Sequence, residues 1–457
     1  MNGKIRNFYM IRGLLLIVSF LFFNIAANAQ IVINIEEARL LGLSSSQTLA
    51  DAQTSIRVAL LNEKTHFYSM IPQVSAGYRA SISFLEDTRF VSPIDTFSAG
   101  INLSVTQTIF NGGNSFATKS MREIATETAR VNASRDYFSV LNSIDEAYYA
   151  VLRAEAALES AQSLLEASNL ALSIAQVRFS NGMLNQIDYL RAQADKESRE
   201  NTRNQSQRTL SLRLIELRDL IGIQGAISLE PVSFDAYDEA LRRLAGISTE
   251  ETDELFTELW NIMIANNPSL KTAALRSQNA ELTYTNSVRQ EYMPKVNLSL
   301  SANLLNFSAR NGFNGSGNIN GSISVTGSIP IDYWVISNRL ENYKITRDSA
   351  LNDFTSTMRA SQNKLLSDIY ELLNQASSVL SSRRSLEITE NTYNGTLERY
   401  LLSQSSVKDL SDAANSLMDS RNSLNNANYY FLQRLSALRT SCALDDEQRL
   451  INILLGN

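Results

Sequence analysis

Gln73 to Ile109 reads QVSAGYRASISFLEDTRFVSPIDTFSAGINLSVTQTI. From Val74 to Phe84 every second residue is apolar. Val74, Ala76, Tyr78, Ala80, Ile82 and Phe84 share one face; Gln73, Ser75, Gly77, Arg79, Ser81 and Ser83 share the other. Leu85 to Thr96, with Glu86, Asp87, Pro93 and Asp95, breaks the pattern as a turn. The alternation then resumes, Phe97, Ala99, Ile101, Leu103 and Val105 against Ser98, Gly100, Asn102, Ser104 and Thr106. A period of two over about ten residues predicts a strand with one apolar and one polar face. A tilted strand needs ~9–11 residues to cross a bilayer.

The pattern returns downstream. Val296, Leu298, Leu300, Ala302 and Leu304 alternate with Asn297, Ser299, Ser301 and Asn303. After a Gly/Asn-rich loop, Ile319, Ile323 and Val325 alternate with Asn318, Asn320, Ser322, Ser324 and Thr326. Pro72 and Pro294, 222 residues apart, introduce the two hairpins. The chain therefore holds two copies of one unit.

Around the hairpins the chain reads as helix, with only 6 prolines in 457 residues. A first helical segment, about 34–70, is interrupted near Gly42 to Ser46. After the turn Asn111-Gly112-Gly113-Asn114 an unbroken helix is predicted from about 115 to 179, roughly 95 Å at 1.5 Å per residue. Ile144, Val151, Leu158, Leu165, Leu172 and Phe179 recur every seventh residue, with Ala147, Ala154, Ala161, Ser168 and Ala175 beside them. Such a seam permits close helix packing in a left-handed supercoil. A shift of 221 residues carries the six large positions onto Leu365, Leu372, Val379, Leu386, Tyr393 and Tyr400. The small positions become Asp368, Gln375, Ser382, Thr389 and Thr396, so the copies share a core register and differ on a neighbouring face.

The predicted layout is a signal segment 1–29, a first repeat 30–221, a connector or equatorial segment 222–252, a second repeat 253–442 and a short peripheral tail 443–457. The first repeat has its hairpin at about 73–109, long helix at 115–179 and return helix at 186–221. In the second these fall at about 295–329, 336–401 and 407–442. The signal reading rests on Lys4, Arg6 and Arg12, an apolar core from Gly13 to Phe23, and Ala27-Asn28-Ala29. An uncleaved anchor is the alternative there.

Composition excludes several chemistries. Lys and Arg number 41 against 47 Asp and Glu; setting aside Lys4, Arg6 and Arg12 leaves 38 against 47. No basic cluster interleaved with aromatics suggests nucleic acid. The single cysteine, Cys442, permits no intrachain disulfide or thiolate metal cluster. The single histidine, His66, is the only one on which a Ser-His-Asp site could be built, and it reads as a surface or packing residue. No phosphate-binding Gly-rich loop with a following Lys is present.

Four amphipathic strands cannot close a barrel, and lipid does not tolerate open strand edges. Other copies of the chain must complete the sheet. Three copies would give twelve strands; dimers and tetramers satisfy the same argument. Polar strand faces would line a wet lumen, and the helices would extend that lumen away from the membrane.

The duplicated order of helix, proline, hairpin, long helix, tight turn and return helix resembles the TolC-like outer-membrane efflux proteins. Specific marks are Val105-Thr106-Gln107-Thr108-Ile109-Phe110-Asn111-Gly112-Gly113, Arg178-Phe179 with Gly182, Asp188, and Arg399-Tyr400 with Asp409 and Asp412. The resemblance covers essentially the whole chain after the signal. It implies a mainly α fold with a membrane β-barrel portion: a homotrimer whose 12-stranded β-barrel is continued by a periplasmic α-helical barrel. It also implies an outer-membrane location extending into the periplasm. The implied function is the passive exit duct of a tripartite efflux or type I secretion system. A periplasmic adaptor protein and an inner-membrane pump are the implied partners, with no cofactor and no catalysis. On the family's pattern Arg178, Phe179, Gly182, Arg399 and Tyr400 fall at the periplasmic tip where an adaptor docks. Asp188, Tyr400, Asp409 and Asp412 fall at the aperture. The chain departs from the pattern at Ser403, where a tip glycine is expected, and at Ser405, where a basic residue often ties the tip. It departs again at Ile329-Pro330-Ile331-Asp332-Tyr333-Trp334, where a Gly-Gly pair is expected.

Other roles fit the same residues. Arg178 and Arg399 suit the negative ends of helix dipoles, and Gly182 suits a helix C-cap. Asp188, Asp409 and Asp412 suit the first turns of the return helices. A secreted coiled-coil scaffold with a soluble β-domain is the competing overall reading. An envelope hydrolase is a third, disfavoured by the lone His66.

Overall fold

The computed structural model describes residues 31–68, 70–85, 94–310, 316–317, 319–402 and 404–456. The expected signal, the loop residues 86–93 and Ser403 lie outside them. The first copy comprises α1 (Ile35–Ser45), α2 (Gln47–Tyr68), β2 (Gln73–Leu85), β3 (Ile94–Asn111), α3 (Asn114–Ser180) and α4 (Gln186–Ile221). It is preceded by a short strand β1 (Ile31–Ile33) and followed by β4 (Ile227–Leu229) and α5 (Asp238–Ala245). The second comprises α6 (Thr249–Asn266), α7 (Pro268–Tyr292), β5 (Lys295–Arg310), β6 (Ser316–Gly317), β7 (Asn320–Ser328), α8 (Tyr333–Leu401) and α9 (Val407–Cys442). A last helix, α10 (Glu447–Leu455), follows.

Each copy begins with a broken helix. In the second the break falls at Asn267-Pro268. The Asn267 side chain accepts from the amides of Ser269 and Leu270 at 2.8 and 3.2 Å. Pro268 at the first helical position gives up a donor that would have no helical partner. Asn267 also donates to the Ser441 carbonyl at 2.8 Å, fixing the break against α9.

The main sheet is antiparallel in the order β2-β3-β5-β7, with the two-residue β6 also pairing β5, so β2 and β7 are its long open edges. Its register joins the two hairpins into one surface. Val74, Val105, Leu300 and Ile323 form one cross-strand row; the adjacent row is Ser75, Ser104, Ser301 and Ser322. Hydroxyls in that polar row meet at 2.7 Å between Ser75 and Ser104 and between Ser301 and Ser322. The apolar face is exposed: Val74, Ile323 and Val325 are 66, 75 and 70 % accessible. A Cβ at Gly77 would meet Oδ1 of Asn102 at 2.5 Å, so the Asn102 side chain would have to turn aside.

The helical seam is buried where expected and opens towards the turns. Ile144, Val151 and Leu158 are buried in α3, as are Leu365, Leu372 and Val379 in α8. Leu165, Leu172, Leu386 and Tyr393 are half-buried. The sixth positions diverge: Phe179 is 39 % exposed and Tyr400 1 %. Asp368, at a position small in the first copy, is held by Lys364 at 2.9 Å and by the Ser441 hydroxyl at 2.8 Å.

The segment 222–252 is more ordered than a plain connector. β4 pairs in parallel with β1, and the Tyr148 hydroxyl donates to the Ile33 and Glu230 carbonyls. A Ser248–Glu251 capping box starts α6, which runs straight through the expected boundary at 252.

The tail is not peripheral. Leu450 and Leu454 of α10 join the main core. Glu447 reaches Arg39 at 2.9 Å and Arg439 at 3.4 Å. Both arginines hold Asp145, which is fully buried, at 2.6 and 2.7 Å, and Ser436 donates to the same carboxylate at 2.5 Å. Two positive and two negative groups thereby tie α1, α3, α9 and α10 together. His66 is also buried, consistent with a packing residue.

Candidate aperture at the helix turns

The long helices end in turns that the sequence dictates. In the first, Gly182 takes φ +71°, a conformation that a side chain disfavours. Its amide and that of Met183 close on the Phe179 and Arg178 carbonyls at 3.0 and 2.8 Å. Asn185 then caps α4 by accepting from the Asp188 amide at 2.8 Å. In the second turn Ser406 caps α9, and the Gln404 amide closes on the Arg399 carbonyl at 2.7 Å.

Arg178 crosses from one copy to the other. Its Nη2 donates to the Tyr400 and Leu401 carbonyls at 2.7 and 3.0 Å, at the carbonyl end of α8. The guanidinium also lies 4.9 Å from the Tyr400 ring centroid. So the cation complements a helix dipole, as its position suggested, but that of the other long helix. The Tyr400 hydroxyl in turn donates to the Ala171 carbonyl at 3.2 Å. Burial pushes the Tyr400 phenol up, against the opposing pull of Arg178.

Phe179 stacks on Tyr189 with centroids 5.0 Å apart. Arg399 is exposed and forms no ion pair among the described residues. The two turns are thus unequal: one arginine is built into the join and its counterpart faces solvent.

Asp188 and Asp409, related by the 221-residue shift, each occupy the third position of a return helix. Asp188 accepts from the Asn185 side chain at 2.7 Å and pairs with Arg191 at 3.1 Å. Asp409 accepts from the Ser406 amide and hydroxyl at 3.0 and 2.8 Å. Those two donors hold its carboxyl below the ordinary aspartate value. Ser405, at the position where a basic tie is expected, donates to the same carboxylate at 3.4 Å. Asp412 is exposed, with Lys408 at 3.7 Å. Its counterpart in the first copy is Arg191, so the repeats carry opposite charges at this position.

One contact was not singled out from the sequence. Asp195 accepts from the Ser411 hydroxyl at 2.7 Å and from Arg199 at 3.3 Å, joining α4 to α9. The Asp195–Arg199 spacing of four is a visible helical pair, whereas Ser411 carries no distinguishing signal.

Among the described residues no group of three or more His, Cys, Asp or Glu is placed to hold a metal ion. No described helix is long and apolar enough to cross a membrane.

The fold is shared with known channels. The outer membrane channel CmeC of Campylobacter jejuni superposes with a TM-score of 0.69 at 16% identity, covering 95% of this chain and 93% of that one. VceC of Vibrio cholerae gives 0.68 at 16% identity over 90% and 96%. The open state of MtrE of Neisseria gonorrhoeae gives 0.66 at 14% identity over 90% and 88%. No curated protein sequence matches the chain. The family model described as "Outer membrane efflux protein" matches residues 40–223 and 259–443, one match on each repeat. The chain belongs to the outer membrane efflux protein family.

Proposed function

We propose that three copies close a 12-stranded barrel in the outer membrane, which their long helices continue as a periplasmic α-helical barrel. The observation that carries this is the sheet itself. It has four long strands, two open edges, and an exposed apolar face opposite a polar face rich in hydroxyls and amides. An open edge in lipid leaves unpaired backbone groups, so β2 of one copy meets β7 of the next. The assembly is a passive exit duct that receives substrates from a periplasmic adaptor and an inner-membrane pump, without catalysis of its own.

At the tip, Arg178, Phe179, Gly182, Arg399 and Tyr400 form the surface and frame on which the adaptor docks. Asp188, Asp409 and Asp412 surround the aperture, and the Arg178–Tyr400 join keeps it narrow until docking. Protein reconstituted into planar bilayers should conduct ions with no energy source. Protein that stays soluble without detergent and never conducts would instead favour the secreted scaffold.

A further inference from the structure

The polar face of the sheet carries cations and, among the described residues, no carboxylate. At the helical end of the barrel Lys295 pairs with Ser328. Farther out the cross-strand rows are Gln73-Thr106-Ser299-Ser324, Ser75-Ser104-Ser301-Ser322 and Gly77-Asn102-Asn303-Asn320. All of these side chains are neutral. The next row sets Arg79 opposite Gly100. Arg79 is exposed, and Gly100 presents no side chain against it. Among the described residues this face carries no Asp or Glu, and neither Arg79 nor Lys295 has an ion-pair partner.

We propose that Arg79, supported by Lys295 at the inner end, makes the barrel lumen an anion-attracting passage. The barrel end of the conduit is then basic. This rests on the reading that three copies enclose the polar face. A threefold assembly repeats Arg79 three times around one axis, and rings of Arg or Lys favour anions in pores. A narrow lumen with low-dielectric walls focuses that field. The guanidinium fork suits phosphate, sulfonate or carboxylate groups, so solutes bearing them are drawn through the barrel. Between the cations, the neutral serine and asparagine rows offer hydrogen bonds without trapping either sign.

The test is block of the single-channel current by inositol hexakisphosphate added on the barrel side of a planar bilayer. Arg79→Ser should raise the half-blocking concentration by roughly tenfold, a ring of charge being lost. Arg79→Lys should keep the block. Equal block of the wild type and Arg79→Ser would overturn the charge assignment while leaving the conduit intact. A wild-type protein that forms no pore would overturn the conduit reading, and the assignment with it.

Discussion

Arg178 and Tyr400, 222 residues apart, are joined at the ends of the two long helices, where the guanidinium donates to the tyrosine's carbonyl at 2.7 Å and lies against its ring. Arg178→Ala should loosen this join by about 1.5–3 kcal/mol, the range for a hydrogen bond to a charged group. If the join holds the tip narrow, the open population rises roughly tenfold or more. Planar-bilayer recordings would show larger or longer openings; an unchanged current would remove Arg178 from the closing device.

Tyr400→Phe is a milder probe of the same place. It keeps the ring beneath Arg178 and removes only the hydroxyl that bonds the Ala171 carbonyl. The expected loss is about 1 kcal/mol, with an intermediate rise in conductance.

The tip aspartates should act on permeating ions. Asp409→Ala with Asp412→Ala should lower cation selectivity and weaken block by multivalent cations added on the periplasmic side, since rings of carboxylates attract cations. Unchanged selectivity and block would leave these two residues as helix-start residues alone. Asp409 also carries a pH signature. Its folded pKa is below the ordinary 3.8 because Ser406 donates to the ionised form. Its contribution to stability is therefore complete above the unfolded pKa and lost as pH falls through the lower folded value. Thermal unfolding compared at about pH 5 and pH 3 should show a small acid-induced loss that Asp409→Asn lacks.

The strand alternation was legible because one residue type per face repeats for a full strand length, and Val74 to Phe84 allow no other period. The duplicated seam was equally plain at Ile144 and Leu365. Burial at its last position was not, because Phe179 and Tyr400 look alike in sequence and differ only in the partner that covers them. The Arg178–Tyr400 join was hidden for the same reason: it links the two copies, and neither residue's local pattern names the other. The α10 helix carries a signal of its own in the sequence. Leu450 and Leu454 are four apart, the spacing of a buried stripe. The charges that α10 meets are scattered at Arg39, Asp145 and Arg439, which only the fold brings together.

That buried cluster should be costly to break. Asp145→Ala leaves Arg39 and Arg439 without their shared carboxylate in the core. Removing one partner from a buried ion pair costs about 3–5 kcal/mol. Leu450→Ala, which empties a fully buried site on α10, should cost about 2–5 kcal/mol. Denaturant unfolding followed by helical circular dichroism checks both. A loss under 1 kcal/mol for Leu450→Ala, less than such a cavity costs, would mean the tail is dispensable.

The two faces of the sheet should respond oppositely to charge. Leu300→Arg or Ile101→Arg places a cation on the apolar face and should impair membrane assembly by about 2–4 kcal/mol near the midplane. Ser299→Arg or Asn102→Arg, on the polar face, should assemble normally. Equal yields of membrane-inserted protein from both pairs would show that the faces are assigned the wrong way round.

The central claim is that one chain supplies a third of a barrel. Native mass spectrometry of the protein extracted from outer membranes counts the copies directly. The account predicts one dominant species of three chains, with β2 and β7 edges satisfied between neighbours. A dominant monomer, or a closed assembly of two or four chains, would contradict it.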